Sequence, residues 1–429
     1  MFTCSHCDTQ YVKWQGRCAE CGKWGTVDQM AGATATGTGK KSKGGAEPAA
    51  LLDLGSAKKT TANHETTGIS ELDRVLSGGL VPGSVTLLAG EPGIGKSTLV
   101  AQLAAKISKK DSPAYYVSGE ESEGQVLMRF ERLELKPENI SFSNTVDVGS
   151  ILAAAEKLKP SLLIIDSIQT MVAQDVDSTP GSPNAVRAAT AQCIGFAKRT
   201  GTPVLLIGQV TKDGSVAGPK TLEHLVDTML VLEGDEQHMY RILRVMKNRF
   251  GQTDEIGVFE MTEKGMATVD NPSARFLEER VEGPGSVITC IMEGTRPFLV
   301  EVQALAEKSF YPNPVRRTSG FDGSRLQMLL AIISKRAGVN VAGHDIYVNV
   351  VGGMKIREHA ADLAVCAAVI SSLKEKAPPV GSLYIGELGL GGEIRTVPFL
   401  DRRLKEADRL GIKNHFSPKN TKTLKDISL

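Results

Sequence analysis

"SVTLLAGEPGIGKSTLVAQLA", residues 84–104, is the stretch that decides the fold. Its first seven residues are almost continuously apolar, as a strand buried on both faces of a parallel sheet must be. The run ends at Gly90, and a helical pattern opens at Lys96. Between them Gly90, Gly95, Lys96 and Ser97 satisfy G-x-x-x-x-G-K-[ST] in the strand–loop–helix setting the motif requires. The loop Gly90, Glu91, Pro92, Gly93, Ile94, Gly95, Lys96, Ser97 and Thr98 is therefore predicted to wrap the phosphates of ATP. Its glycines let backbone N–H groups close on the anion at a helix N-terminus. Lys96 would neutralise the β and γ oxygens, and Ser97 would offer its hydroxyl to Mg²⁺.

Further apolar runs follow at intervals: "AYYVSG" (114–119), "LLIID" (162–166), "PVLLIG" (203–208) and "TMLVLEG" (228–234). Helical segments separate them, so the fold class is α/β, a doubly wound sheet. Asp166 closes its strand where an acidic partner for Mg²⁺ belongs. Glu120 and Glu121 follow the second strand, beside the phosphate loop in such a sheet. One of them, with Glu120 preferred, is expected to position the attacking water. Gln209, at the end of its strand, is expected to face the same crevice and sense the γ-phosphate.

The chain has 429 residues, 41% hydrophobic and 23% charged, with formal net charge +1. That size implies two or three domains, and the balance implies that any nucleic-acid surface is local. No apolar run reaches the ~20 residues needed to span a bilayer. The N-terminus carries neither a basic leader nor an apolar stretch, and cysteine usage suggests a reducing compartment, the cytoplasm. Four of the seven cysteines lie in the first 21 residues, as Cys4-x2-Cys7-x10-Cys18-x2-Cys21. Two such knuckles complete a closed tetrahedral Cys4 shell, the pattern of a structural Zn²⁺ site. His6 lies within the first knuckle, and both tryptophans, Trp14 and Trp24, flank the second. The Ala-, Gly-, Thr- and Lys-rich stretch that follows cannot bury a core and reads as a linker. The predicted organisation is a Cys4 module (1–29), a linker (30–64), an ATPase domain (65–270) and a second α/β domain (271–429).

"RVMKNRFGQTDEIGVFEM" (244–261) sets Lys247 and Arg249 two apart ahead of a Phe-Gly turn. In a strand they would share a face. Composition leaves their role open between a surface ion pair and a functional pair.

Taken together, "TTGISELDRVLSGGLVPGSVTLLAGEPGIGKSTLVAQLA" (66–104), the leading Cys4 module and the run Lys247, Asn248, Arg249, Phe250, Gly251 resemble the bacterial RadA (Sms) family over nearly the whole chain. The resemblance implies a RecA-like core and a DNA-dependent ATPase and helicase. It would drive branch migration beside a RecA-type recombinase, as a homo-oligomeric ring, a hexamer by family expectation. It also implies that Lys247 and Arg249 reach the γ-phosphate held by a neighbouring subunit. An alternative is a regulatory ATPase switch without motor activity. The last domain is similar to the proteolytic domain of Lon proteases. Ala360 stands where that family has its serine, and Asp401 falls where it has its lysine, so no peptidase is expected. For DNA, the candidates are Arg187, Lys212 and Lys220 on core loops and Arg316, Arg317 and Arg325 in the last domain. Lys335, Arg336, Lys355 and Arg357 follow these. That domain carries 22 Lys and Arg against 17 Asp and Glu. Phosphate tracking without base readout is the expected mode.

Overall fold

The computed structural model describes residues 2–4, 10–11, 14–29, 64–174, 179–209, 222–234, 240–278 and 280–427. His6, Cys7, Lys212, Lys220 and the segment 30–63 lie outside the described residues. The chain forms two compact units. One comprises Met1–Leu232, Val245–Thr253 and Glu263–Met266; the other comprises Glu233–Arg244, Asp254–Thr262 and Ala267–Leu429.

At the start, three short antiparallel strands, β1 (Phe2–Cys4), β2 (Gln10–Tyr11) and β3 (Val27–Gln29), pair in the order β2-β1-β3. Cys4 of β1, Val27 of β3 and Cys18 form a small buried cluster.

The first unit is built on six parallel strands: β4 (Val85–Gly90), β5 (Ala114–Ser118), β6 (Ile140–Ser143), β7 (Leu162–Asp166), β8 (Val204–Gln209) and β9 (Thr228–Glu233). Their order is β9-β4-β8-β7-β5-β6, with every adjacent pair parallel. Every residue of β4, β5 and β7 is buried, which is why those strands read as unbroken apolar runs. Strand β6, "ISFS", was not legible in the sequence: it lies at the sheet edge, half-buried and half polar. The connecting helices are α1 (Ser70–Val75), α2 (Lys96–Ile107), α3 (Glu123–Arg132), α4 (Val148–Leu158) and α5 (Pro183–Thr200). Their ends follow capping chemistry. Ser122 and Gln125 form a capping box on α3, Asp147 caps α4, and Ser182 with Pro183 starts α5. Each Leu or Ile fully withdrawn into this core contributes about 1.5–3 kcal/mol. In open α/β sheets ligands bind at the rim formed by the C-terminal strand ends.

An antiparallel hairpin follows, β10 (Tyr240–Asn248) and β11 (Ile256–Thr262), registered Tyr240↔Glu260 to Arg244↔Ile256; Tyr240–Arg244 and β11 belong to the second unit, Val245–Asn248 to the first. Strand β12 (Gly265–Thr268) and helix α6 (Pro272–Leu277) follow. A six-stranded mixed sheet then uses β13 (Ser286–Glu293), β14 (Arg296–Lys308), β15 (Arg316–Ser319), β16 (His344–Val350), β17 (Ser382–Tyr384) and β20 (Asn414–Phe416). Its order is β15-β16-β14-β13-β17-β20, and β18 (Glu387–Leu388) pairs separately with β19 (Ile394–Arg395). The helices are α7 (Gly323–Ile332), α8 (Asp362–Lys374) and α9 (Leu400–Arg409). Helix α8 is buried from Asp362 to Ser371 and contributes Leu363, Val365, Val369 and three alanines to the core.

A carboxylate inside that core has to be compensated. Asp362 is fully buried, and Arg325 of α7 meets it with both arms of its guanidinium, Nε to Oδ1 at 3.1 Å and Nη2 to Oδ2. The Leu388 N–H donates to Oδ2 at 3.2 Å. Removing the cation strands a buried charge, so Arg325→Ala is expected to cost about 3–5 kcal/mol of stability. A denaturant midpoint with unchanged slope reads this directly; a loss below about 1 kcal/mol would contradict it.

Candidate functional site

The phosphate loop joins β4 to α2 at the C-terminal rim. Gly93 (φ +75°) and Gly95 (φ +112°) hold left-handed conformations that side chains resist. Gly90 passes so close to β9 that an added Cβ would stand 2.7 Å from the Leu232 carbonyl oxygen. Gly95 is the N-cap of α2, so no side chain caps the helix, and its first turn holds no acidic residue. Free N–H groups at the positive end of a twelve-residue helix are donors for an anion, and this is the fit that phosphate requires. Lys96 lies inside the loop, donating to the carbonyls of Gly90 (2.9 Å) and Glu91 (2.8 Å). Burial pulls its pKa down, and the nearby Asp166 and Glu120 carboxylates oppose that shift.

Asp166 ends β7 and is buried. It accepts from the Tyr116 hydroxyl at 2.9 Å and from Ser97. A hydroxyl and a carboxylate converging beside the loop form the donor set that suits Mg²⁺. Burial raises the Asp166 pKa, and the hydrogen bonds from Tyr116 and Ser97 partly counter it. Tyr116, wholly buried on β5, has its own pKa pushed well up by burial and by Asp166. The peptide bond between Asp166 and Ser167 is cis.

The two adjacent glutamates are treated differently. Glu121 is held by both arms of Arg129, at 2.5 Å each. Glu120 is exposed and accepts from Ser167 Oγ (2.5 Å) and Gln209 Nε2 (3.2 Å). Lys96, Ser97, Glu120, Asp166 and Gln209 are thus brought together beside the loop. Tyr116, Ser167 and Arg129 join them and carried no sequence signal of their own, although Ser167 directly follows Asp166.

The run Lys247–Gly251 is a turn whose parts separate by role. Strand β10 ends at Asn248, so Arg249 lies just beyond it, not within the strand. Asn248 Oδ1 accepts from the Phe250 N–H at 3.0 Å, closing an Asx turn. An added Cβ on Gly251 would fall 1.9 Å from Ser77 Oγ, so only glycine fits. Arg249 is half-exposed and pairs with Asp227 at 3.0 Å, while Lys247 Nζ donates to the Glu223 carbonyl at 2.6 Å. Burial and the neighbouring Arg249 lower the Lys247 pKa. Asp227 in turn accepts from the Val85 N–H at 3.1 Å, at the first residue of β4. The phosphate loop begins at the other end of that strand, roughly 16 Å away at ~3.3 Å per residue. The two cations therefore sit on the opposite rim of the sheet from their own chain's loop.

In the small N-terminal sheet, the sulfurs of Cys4, Cys18 and Cys21 lie within 4.8 Å of one another. Cys4 and Cys21 are 3.7 Å apart, close to the roughly 3.8 Å edge of a tetrahedron with ~2.3 Å metal–sulfur bonds. The described residues thus hold a three-thiol cluster compatible with zinc.

Comparison with known proteins locates these features. The model of an AAA domain matches residues 48–215. The DNA repair protein RadA of Aquifex aeolicus (strain VF5) is 46% identical over 419 residues, 98% of this chain and 93% of that protein. RadA of Pseudomonas aeruginosa is 45% identical over 420 residues, with 97% and 92% covered. RadA of Escherichia coli (strain K12) is 42% identical over 423 residues, again with 97% and 92% covered. The chain belongs to the RadA family of DNA repair proteins. Among solved structures, the RadB recombinase aligns over 48% of this chain and 99% of its own, at 22% identity and a TM-score of 0.39.

Within this RadA-family chain, the remaining predicted positions separate by exposure. Arg187 is exposed on α5, and Arg317 is exposed on β15. Arg325 is not available to DNA as the sequence reading expected: it is spent on buried Asp362. Arg316 is likewise engaged, donating to the carbonyls of Val315, Val341 and His344. Ala360 presents a buried methyl group ahead of α8, and exposed Asp401 pairs with Lys419. Arg403, wholly buried, meets Glu358 at 2.5 and 2.7 Å and donates to the Cys290 carbonyl. Among the described residues, no helix is long and apolar enough to cross a membrane.

Proposed function

We propose that the chain is an ATP-driven DNA motor of recombinational repair. It hydrolyses ATP at a seam between copies of itself and moves a closed ring, a hexamer by family expectation, along DNA. In this reading it is a helicase that promotes branch migration beside a RecA-type recombinase, in the cytoplasm. Residues 1–29 serve as the zinc module, 30–64 as linker, 65–270 as ATPase and 271–429 as a Lon-like scaffold without protease activity.

The observation that carries this reading is the position of Lys247 and Arg249 on the rim opposite their own phosphate loop. Cations there cannot serve the chain's own γ-phosphate, but they can serve the loop of a copy stacked against that rim. The geometry supports the following roles. Backbone N–H groups of the loop and Lys96 bind the phosphates, Ser97 and Asp166 would hold Mg²⁺, and Glu120 accepts the proton of the attacking water. Gln209 stands where it can exchange Glu120 for a γ-phosphate oxygen, and Arg249 from the neighbour stabilises transition-state charge. Mg²⁺, when bound, neutralises the phosphate oxygens. Zn²⁺ would be held by Cys4, Cys18 and Cys21 with Cys7 as the fourth thiolate, tying together a module too small to build a core. Arg187, Lys212, Lys220 and Arg317 remain the DNA candidates. The absence of a serine hydroxyl at Ala360 supports a non-proteolytic domain.

The test is ATP turnover with and without single-stranded DNA, with assembly state followed by light scattering. A motor is expected to raise its turnover with DNA and to assemble with nucleotide. Turnover indifferent to DNA would instead favour the regulatory switch.

A further inference from the structure

We propose that Ser167 is a positioning residue for hydrolysis: its hydroxyl fixes the Glu120 carboxylate so that Oε2 is the oxygen presented to the attacking water. The inference rests on Glu120 being the base and names the group that orients it.

The two residues come from different strands, and the fold brings them together by close packing. Ser167 follows β7, and Glu120 lies two residues past β5; the Gly119 N–H donates to the Asp166 carbonyl at 2.8 Å. An added Cβ on Gly119 would lie 2.1 Å from Thr170 Oγ1. Thr170 Oγ1 donates in turn to the Ser167 carbonyl at 2.8 Å. The turn after β7 is thus pressed onto the turn after β5, and any side chain at Gly119 would push them apart.

Ser167 is only 1% exposed, whereas Glu120 faces solvent. Ser167 Oγ lies 2.5 Å from Glu120 Oε1, in the short range of a hydroxyl donating to a charged carboxylate. A hydroxyl has one proton, and Ser167 commits it here. Gln209 Nε2 adds a second donor to Oε1 at 3.2 Å but reaches Oε2 only at 3.5 Å. Oε1 therefore meets both donors at the shorter distances, while Oε2 has only the long 3.5 Å contact and keeps a lone pair for water. In the hydrolytic step, water oxygen bonds to the γ-phosphorus as the bond to the bridging oxygen of ADP breaks. The water proton passes to Oε2, and the neutral Glu120 returns it to solvent.

The full-length protein is assayed with Mg-ATP and single-stranded DNA, and nucleotide affinity is read with a fluorescent ATP analogue. Ser167→Ala is expected to lower kcat by about 10- to 100-fold with KM little changed, because the base is present but misaimed. Ser167→Thr, which keeps the hydroxyl, is expected to recover most of the rate. Ser167→Cys, near-isosteric with a weaker donor, should fall on the slow side and stands in if the alanine variant does not fold. In a Glu120→Gln background the Ser167→Ala change is expected to add nothing, since residues acting as one unit are not additive. Turnover at the wild-type rate in both Ser167→Ala and Ser167→Cys overturns the inference. So does an equal further loss in the Glu120→Gln background, which marks a purely structural serine. If Glu120→Gln itself turns over normally, the base assignment falls and Ser167 with it; if only Glu120→Gln is impaired, the serine inference falls alone.

Discussion

Arg249→Ala is expected to bind ATP as the native chain does and to turn it over about 10³–10⁵-fold more slowly, the range an arginine finger supplies. The expectation follows from distance. Arg249 is tied to Asp227 at the first residues of β4 and β9, and the phosphates belong at the far ends of those strands. Its proposed effect on hydrolysis is therefore expected to come from another copy. Mixing therefore separates the possibilities. Arg249→Ala and Lys96→Ala are each expected to be inactive alone, the second because its loop lacks the lysine. A mixture should recover activity, because a Lys96→Ala copy lends its intact Arg249 to the intact loop of its neighbour. Arg249→Lys, which keeps a cation beside Asp227, controls for stability lost when that largely buried carboxylate is stranded. Arg249→Ala turning over at the native rate sinks the idea, as does a mixture that exchanges subunits and stays silent.

Glu120→Gln should lower kcat by about 10²–10⁴-fold, the usual contribution of a general base. Nucleotide affinity should hold, since the phosphates are gripped by the loop and Lys96. Its neighbour offers an internal comparison one residue away. Glu121 is bound by both arms of Arg129, so Glu121→Gln is expected to weaken that contact and leave turnover near the native value. Should the two variants exchange behaviours, with Glu121→Gln slow and Glu120→Gln normal, the proton acceptor has been misassigned. Single-turnover measurements make the comparison clean, because they exclude product release.

The parallel core was legible because burial on both faces of β4, β5 and β7 forces unbroken apolar runs, and the loop glycines announce themselves by spacing. Strand β6 was not, since an edge strand of "ISFS" has neither alternation nor an apolar run to report it. The choice between Glu120 and Glu121 was equally hidden. It turns on Arg129, eight residues on, reaching back from α3. Arg325 misled in the opposite direction. In the sequence it stands in a Gly-rich basic stretch suggestive of phosphate contact, and its true partner is a carboxylate 37 residues later.

What the sequence determined by itself was local: a phosphate loop, four closely spaced thiols and the strand–helix rhythm. Each is a matter of neighbouring residues, and short-range sterics and hydrogen bonding dictate it without help from afar. The tertiary structure alone decided which cations are spent and which stay exposed, which glutamate an arginine clamps, and at which end of β4 Arg249 stands. Those outcomes depend on groups far apart in the chain meeting in a low-dielectric interior, where an unpaired charge is costly and the partner is whichever residue the packing brings within reach.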